Sequence, residues 1–196
     1  EQDRIAFSTE KCEKTKMVVS MSIHKDEDSE KKPKVTYSAD GSCMRLEFED
    51  GNTVLINLTE DGTAAFDGIA FKGTAVSYNG DSVLMTNGTY LEKNGVKLIE
   101  ADRNATVALG CGQVCISCDD DTEISLNRNN EYLSINSVSL LRDNKQRFVS
   151  AKIGIAGADD NDSVLLSAQK GNYTLFAAAN VPVSVQDLIP RDITLH

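Results

Sequence analysis

The chain has 196 residues, of which 40% are apolar and 26% charged, and its formal net charge is −10. That length buries the core of one large domain or two small ones without help from metals or disulfides. The negative charge repels phosphate, and the densest basic group, Lys31, Lys32 and Lys34, sits beside Asp26, Glu27, Asp28 and Glu30, so neither nucleic acid nor an anionic membrane surface is expected as a partner.

No run approaches the roughly 18 apolar residues of a membrane span, so no membrane insertion is expected. The chain begins at Glu1 without an initiator Met or an apolar leader, as an expressed piece or a processed mature form would. Along the chain, the first expected strand carries Met17, Val19, Met21 and Ile23 on one face. The charged stretch from His24 to Lys34 that follows reads as a solvated loop.

Turn chemistry dominates the next third. Seven Asx-Gly pairs fall between residues 40 and 95: Asp40-Gly41, Asp50-Gly51, Asp61-Gly62, Asp67-Gly68, Asn79-Gly80, Asn87-Gly88 and Asn94-Gly95. Such pairs tolerate the positive φ angles of tight hairpin turns, and their spacing leaves room for one short strand between each. The clearest hairpin joins Met44, Leu46 and Phe48 to Val54, Ile56 and Leu58 through the Asp50-Gly51-Asn52 turn. Its alternation predicts that this apolar set faces the core. Val76 and Tyr78, Val83 and Met85, Tyr90, then Val96 and Leu98 continue the meander. Gly73, Gly80, Gly88 and Gly95 recur at intervals of 7, 8 and 7, a regularity that hints at stacked or meandering strands.

The last third lacks these turns but remains rich in β-branched and aromatic residues. Strands are expected near Val114 to Cys118, Thr122 to Leu126, Tyr132 to Leu140, Phe148 to Ile155, Val164 to Ala168 and Tyr173 to Ala178. Val181-Pro182-Val183 suits an edge strand or a linker, because Pro cannot donate to a ladder. No window carries a convincing helical stripe. The fold expected is all-β, an antiparallel sandwich- or barrel-like meander of many short strands with little helix, in a single domain over residues 1–196 with a soft internal boundary near 110.

Chemistry-bearing residues are sparse. Cys111, Cys115 and Cys118 form C-x3-C-x2-C, with Cys12 and Cys43 elsewhere. This spacing matches a three-thiolate iron–sulfur motif, but that chemistry belongs with a βα barrel, and a zinc site would need His24 or Cys43 as a fourth ligand. In an extended strand Cys111 and Cys115 lie about 13 Å apart, too far for a disulfide. Five thiols are an odd number, so at least one is free or bridges another chain. The reading retained is that most are small buried apolar residues.

The two histidines, His24 and His196, sit in a charged loop and at the last residue, where neither is held as a catalytic base must be. Thirty carboxylates leave a hydrolytic acid pair open without selecting one. Asp159, Asn161 and Ser163 alternate as hard oxygen ligands do and are the candidate calcium site, with Asp119 to Asp121 as a second acidic cluster. No other cofactor is expected. Five Asn-x-Ser/Thr sequons, at Asn57, Asn87, Asn104, Asn161 and Asn172, mildly exceed the roughly two expected by chance.

These features point to an acidic, non-enzymatic structural or binding component of an extracellular surface or an assembled particle such as a virion. It would act through protein–protein contacts, with a protein partner or by self-assembly into an oligomer. Two alternatives remain: a secreted hydrolase using a carboxylate pair, and a calcium-stabilised adhesion module.

Overall fold

The computed structural model describes residues 33–128, 130–132, 134, 138–140, 149–153 and 163–177, all within one compact unit, Pro33–His196. The expected strand at Met17 to Ile23, the charged loop to Lys32 and the Val181-Pro182-Val183 segment lie outside the described residues. What is described is all-β, as the sequence predicts.

Among the described residues fourteen strands form one hydrogen-bonded sheet that is open at its ends. They are β1 (Lys34–Tyr37), β2 (Cys43–Glu47), β3 (Thr53–Asn57), β4 (Ala64–Phe66), β5 (Ile69–Lys72), β6 (Ala75–Tyr78), β7 (Ser82–Lys93), β8 (Val96–Gly110), β9 (Gln113–Cys118), β10 (Thr122–Asn127), β11 (Val138–Leu140), β12 (Val149–Ile153), β13 (Ser163–Ala168) and β14 (Gly171–Ala177). Every pairing is antiparallel.

The long hairpin β7–β8 organises the rest. The first half of β7 pairs with β6 and its second half with β5. The first half of β8 pairs with β10 and its second half with β9. The sheet therefore divides at the middle of this hairpin into two layers. One contains β1, β2, β3, β6, β9, β14 and β11; the other contains β4, β5, β10, β13 and β12. The layers fold over each other, because Lys93 Nζ at the end of β7 lies 5.5 Å from the ring of Tyr78, which pairs with Val83 near the start of β7. A single buried cluster fills the space between, from Leu55, Val76, Met85, Val107, Leu109 and Leu175 to Phe71, Leu91, Ile99, Ile124, Leu126 and Leu166.

The bend has a local cause. A β-carbon on Gly88 would stand 2.6 Å from the carbonyl oxygen of Lys72 and 2.9 Å from the α-carbon of Gly73. Two backbones cross there at a distance only paired glycines permit. On the opposite side, β8 bulges: Gly88 faces Ala105 but Tyr90 faces Glu100. This explains the Gly73, Gly80, Gly88, Gly95 spacing, since Gly73 and Gly88 make the bend and Gly80 and Gly95 lie in the turns at its two ends. The Asn87-Gly88 pair thus sits inside β7 and makes no hairpin. Asp67, Gly68, Asn94 and Gly95 are all at positive φ in two-residue hairpin turns, and Gly41 and Gly51 are at positive φ in the β1–β2 and β2–β3 turns. Asp61-Gly62 and Asn79-Gly80 turn the chain without positive φ, the former in the β3–β4 loop between strands that do not pair.

One expectation is reversed. In the β2–β3 hairpin the core side carries Cys43 and Leu55, both fully buried within the cluster. Met44 and Leu46 are buried but belong to the opposite, outer side, together with half-buried Val54 and Ile56. The inner positions between Cys43 and Glu47 are occupied by Arg45, whose guanidinium lies 5.4 Å from the ring of Phe66 and donates to Asp67 Oδ2 at 2.6 Å. A cation stacked on an aromatic ring thus closes this end of the sandwich, where the alternation places Arg45 on the side away from the core.

Candidate functional site

The exposed surface concentrates its apolar groups at β1. Among the described residues β1 pairs with β2 alone. Ser38 donates its amide to Cys43 O at 2.9 Å across that ladder. Alternation along an antiparallel strand then turns the amides of Lys34 and Thr36 toward β2 and those of Val35 and Tyr37 outward. The side chains of Val35 and Tyr37 are 47% and 62% exposed. They continue the outer row of Met44, Leu46, Val54 and Ile56 across the sheet.

β1 runs into a cleft of about 640 Å³, walled by Tyr37, Phe66 and Ile69 and rimmed by Asp40, Asp67 and Glu92. The rim stays negative down to acid pH at one position at least. Asp40 accepts hydrogen bonds from the Ser38 hydroxyl and from the Ser42 amide and hydroxyl, which pull its carboxyl down to about 2. Among the described residues no Lys, Arg or His lines this cleft, though Arg45 pairs with its rim residue Asp67. The nearest cation on the strand is Lys34, 73% exposed along its side chain and 3.5 Å from Glu47.

The sequence-predicted sites fall elsewhere. Asp159 and Asn161 lie outside the described residues; Ser163 opens β13, half-buried and opposite Asn127. In the second acidic cluster, Asp121 accepts the Lys170 amide at 2.9 Å, joining the β9–β10 and β13–β14 turns, and Asp119 and Asp120 are exposed. Among the described residues no three His, Cys, Asp or Glu side chains gather where a metal ion would sit.

The four described cysteines are free thiols in three environments. Cys43 and Cys118 are buried, and burial pushes the Cys43 thiol up to about 11. Cys111 is exposed at the tip of the β8–β9 hairpin with φ +53°, where Asn is the usual residue. Cys115 is half-buried on the outer side of β9, 3.9 Å from the Thr174 hydroxyl. The burial expected of these residues thus holds for Cys43 and Cys118 and fails for Cys111, because its Gly110-Cys111-Gly112 context forms the hairpin turn. Cys12 lies outside the described residues.

The sequons also separate. Asn57 is 7% exposed; its amide donates to Gly62 O at 3.0 Å and its carbonyl accepts from the Thr59 amide at 2.8 Å. Asn87, Asn104 and Asn172 are exposed, and Asn161 lies outside the described residues. No helix among the described residues is long and apolar enough to cross a membrane. No protein-family model matches the chain, and no curated protein matches it in sequence.

Proposed function

We propose that the protein is a non-enzymatic structural or binding component of an extracellular surface or assembled particle, and that it works by strand addition at the β1 edge, with a second copy of the chain as the occupant. The observation that carries this reading is the outward-facing, apolar edge of β1 with Val35 and Tyr37 uncovered. Among the described residues β1 pairs on one side only, and such an edge offers a ready template for a further strand, with main-chain hydrogen bonds supplying the affinity.

Register suits a second copy. A two-fold axis at Thr36 sets Val35 against Tyr37 of the other chain as a mutually hydrogen-bonded pair. Lys34 of each copy then falls opposite Ser38 of the other, two residues from Asp40 on the acidic rim. An isologous contact of this kind makes each favourable pair twice. The hydrolase alternative draws nothing from Asp40 and Asp50, whose pKa values are lowered, the reverse of a general acid's requirement.

The test is a cross-link. The axis makes Thr36 face Thr36 of the other copy at a non-hydrogen-bonded position, where α-carbons stand about 4.5 Å apart, within disulfide range. Thr36→Cys in a Cys12→Ser, Cys111→Ser background is expected to form a covalent dimer under mild oxidation, while that background alone remains uncross-linked. Failure of Thr36→Cys to cross-link at concentrations where the chain associates would overturn the β1 contact.

A further inference from the structure

We infer that the outer face of the first layer, at its β7–β8–β9–β14 end, is a glycan-bearing face, with Asn87, Asn104 and Asn172 as acceptors of N-linked oligosaccharide and Asn57 excluded. The inference rests on the extracellular reading above, since the transfer takes place in the secretory lumen.

Register brings the three sequons together. Asn172 on β14 faces Ser117 on β9, and Ser117 faces Thr106 on β8. Thr106 is the hydroxyl residue of the Asn104 sequon, and its Oγ1 accepts the backbone amide of Asn87 at 3.1 Å. Sites separated by 17 and 68 residues of sequence therefore meet in one cross-strand row, spanning three strand spacings or about 15 Å. Ala105 is buried in the core at 2% exposure, which turns its neighbours Asn104 and Thr106 to the outside. Asn87 stands at the bend with φ +46°, beside the glycine crossing, and projects from the same outer side.

This end of the outer face is polar, carrying Thr86, Thr106, Ser117 and Asn172. The β1–β3 end carries Val35, Tyr37, Met44, Leu46, Val54 and Ile56. Glycans on the polar end would keep it in water and leave exposed Val35 and Tyr37 of β1 for the contact. Asn57 is the counter-case. Both ends of its amide are engaged by the β3–β4 loop, and an attached sugar would remove a hydrogen from the nitrogen that donates to Gly62.

The chemistry is glycosyl transfer to an amide. The Nδ2 atom attacks C1 of the sugar in a polyprenyl-pyrophosphate-linked oligosaccharide. The N–C1 bond forms, the C1–O bond to pyrophosphate breaks, the lipid pyrophosphate leaves with the electron pair, and one amide proton passes to a base of the transferase. Transfer precedes the end of folding, so the native structure acts as a filter: only glycans that point into water are compatible with the secreted fold.

The experiment attaches a secretion signal to the full chain, expresses it in eukaryotic cells and treats the secreted, folded protein with peptide N-glycosidase in heavy-oxygen water. Each glycosylated Asn becomes a heavy-labelled Asp. Label is expected at Asn87, Asn104 and Asn172 and absent at Asn57, and Asn104→Gln and Asn172→Gln are each expected to remove one glycan without lowering the thermal midpoint. Absence of label at any two of the three sites, or label at Asn57 in the folded protein, would overturn the assignment. The added signal fixes the route through the lumen, so this outcome is independent of where the chain naturally resides. Immunolocalisation of the untagged chain tests the extracellular reading separately.

Discussion

Gly88→Ala probes the bend on which the two-layer fold depends. The new methyl would stand 2.6 Å from Lys72 O, 2.9 Å from the α-carbon of Gly73 and 2.9 Å from Met85 Sδ. The Met85 thioether can swing aside, but two of the three obstacles are backbone atoms held by ladders on both sides. Relief therefore requires the β5–β6 crossing to move away from β7, opening the fully buried surroundings of Met85 and Val76. Overpacking of this type costs about 1–3 kcal/mol, and backbone obstacles place it at the upper end. A loss near 3 kcal/mol corresponds to roughly 6–12 °C in Tm for a chain of this size. Gly80→Ala is the matched control, because nothing lies within 4 Å of its added methyl, and it should be neutral or slightly stabilising by up to about 1 kcal/mol. Gly73→Ala should resemble Gly88→Ala, and the double variant should cost less than the sum, since both methyls force open the same gap. Urea unfolding followed by far-ultraviolet circular dichroism measures all four. Equal midpoints for Gly88→Ala and Gly80→Ala would refute the crossing as the source of the bend.

Leu55→Ala, fully buried in the core, is expected to cost about 2–5 kcal/mol, and Val54→Ala clearly less; the reverse order in urea melts would return the hairpin to the opposite facing. Thiol labelling under native conditions should be fast at Cys111 and slow at Cys43 and Cys118, because the first is exposed and burial raises the pKa of the other two; equal rates at the three sites would contradict their placement. Asp40 has a folded pKa lowered from 3.8 to about 2 by its serine hydrogen bonds, so its contribution is full above pH 3.8 and disappears as pH falls through 2. Asp40→Asn should accordingly flatten the acid limb of the stability–pH curve and leave its alkaline limb unchanged, as acid titration of both proteins would reveal.

Local chemistry made the strands legible. Asp67-Gly68 and Asn94-Gly95 announce two-residue turns because few other pairs accept positive φ at both positions, but the pairings that skip strands, β3 with β6 and β8 with β10, carry no such local signal. The facing of β3 was hidden for a physical reason. Thr53-Val54-Leu55-Ile56-Asn57 is apolar at three consecutive positions, so period alone favours neither side. Its inner face holds Thr53 and Asn57, buried because the Asn57 amide caps the following loop. Arg45 misled in the same way: a charge in the alternation reads as solvent-facing, whereas this one spans the two layers through Phe66 and Asp67. The bend left a trace as evenly spaced glycines, but spacing could not separate a crossing at Gly73 and Gly88 from turns at Gly80 and Gly95. The candidate edge was less legible still. Lys34-Val35-Thr36-Tyr37 is an ordinary strand sequence, and its place at the margin of the sheet follows only from which strands pair.

Sedimentation equilibrium of the wild-type chain against Val35→Pro, at rising concentration, tests strand addition most directly. The Val35 amide points away from β2, so proline there removes an outward donor and leaves the β1–β2 ladder complete. The account predicts that the wild type passes from monomer to dimer and that Val35→Pro, with an unchanged circular dichroism spectrum, stays monomeric over the same range. A wild type that remains monomeric at the highest concentration, or a Val35→Pro variant that dimerises as the wild type does, would contradict it.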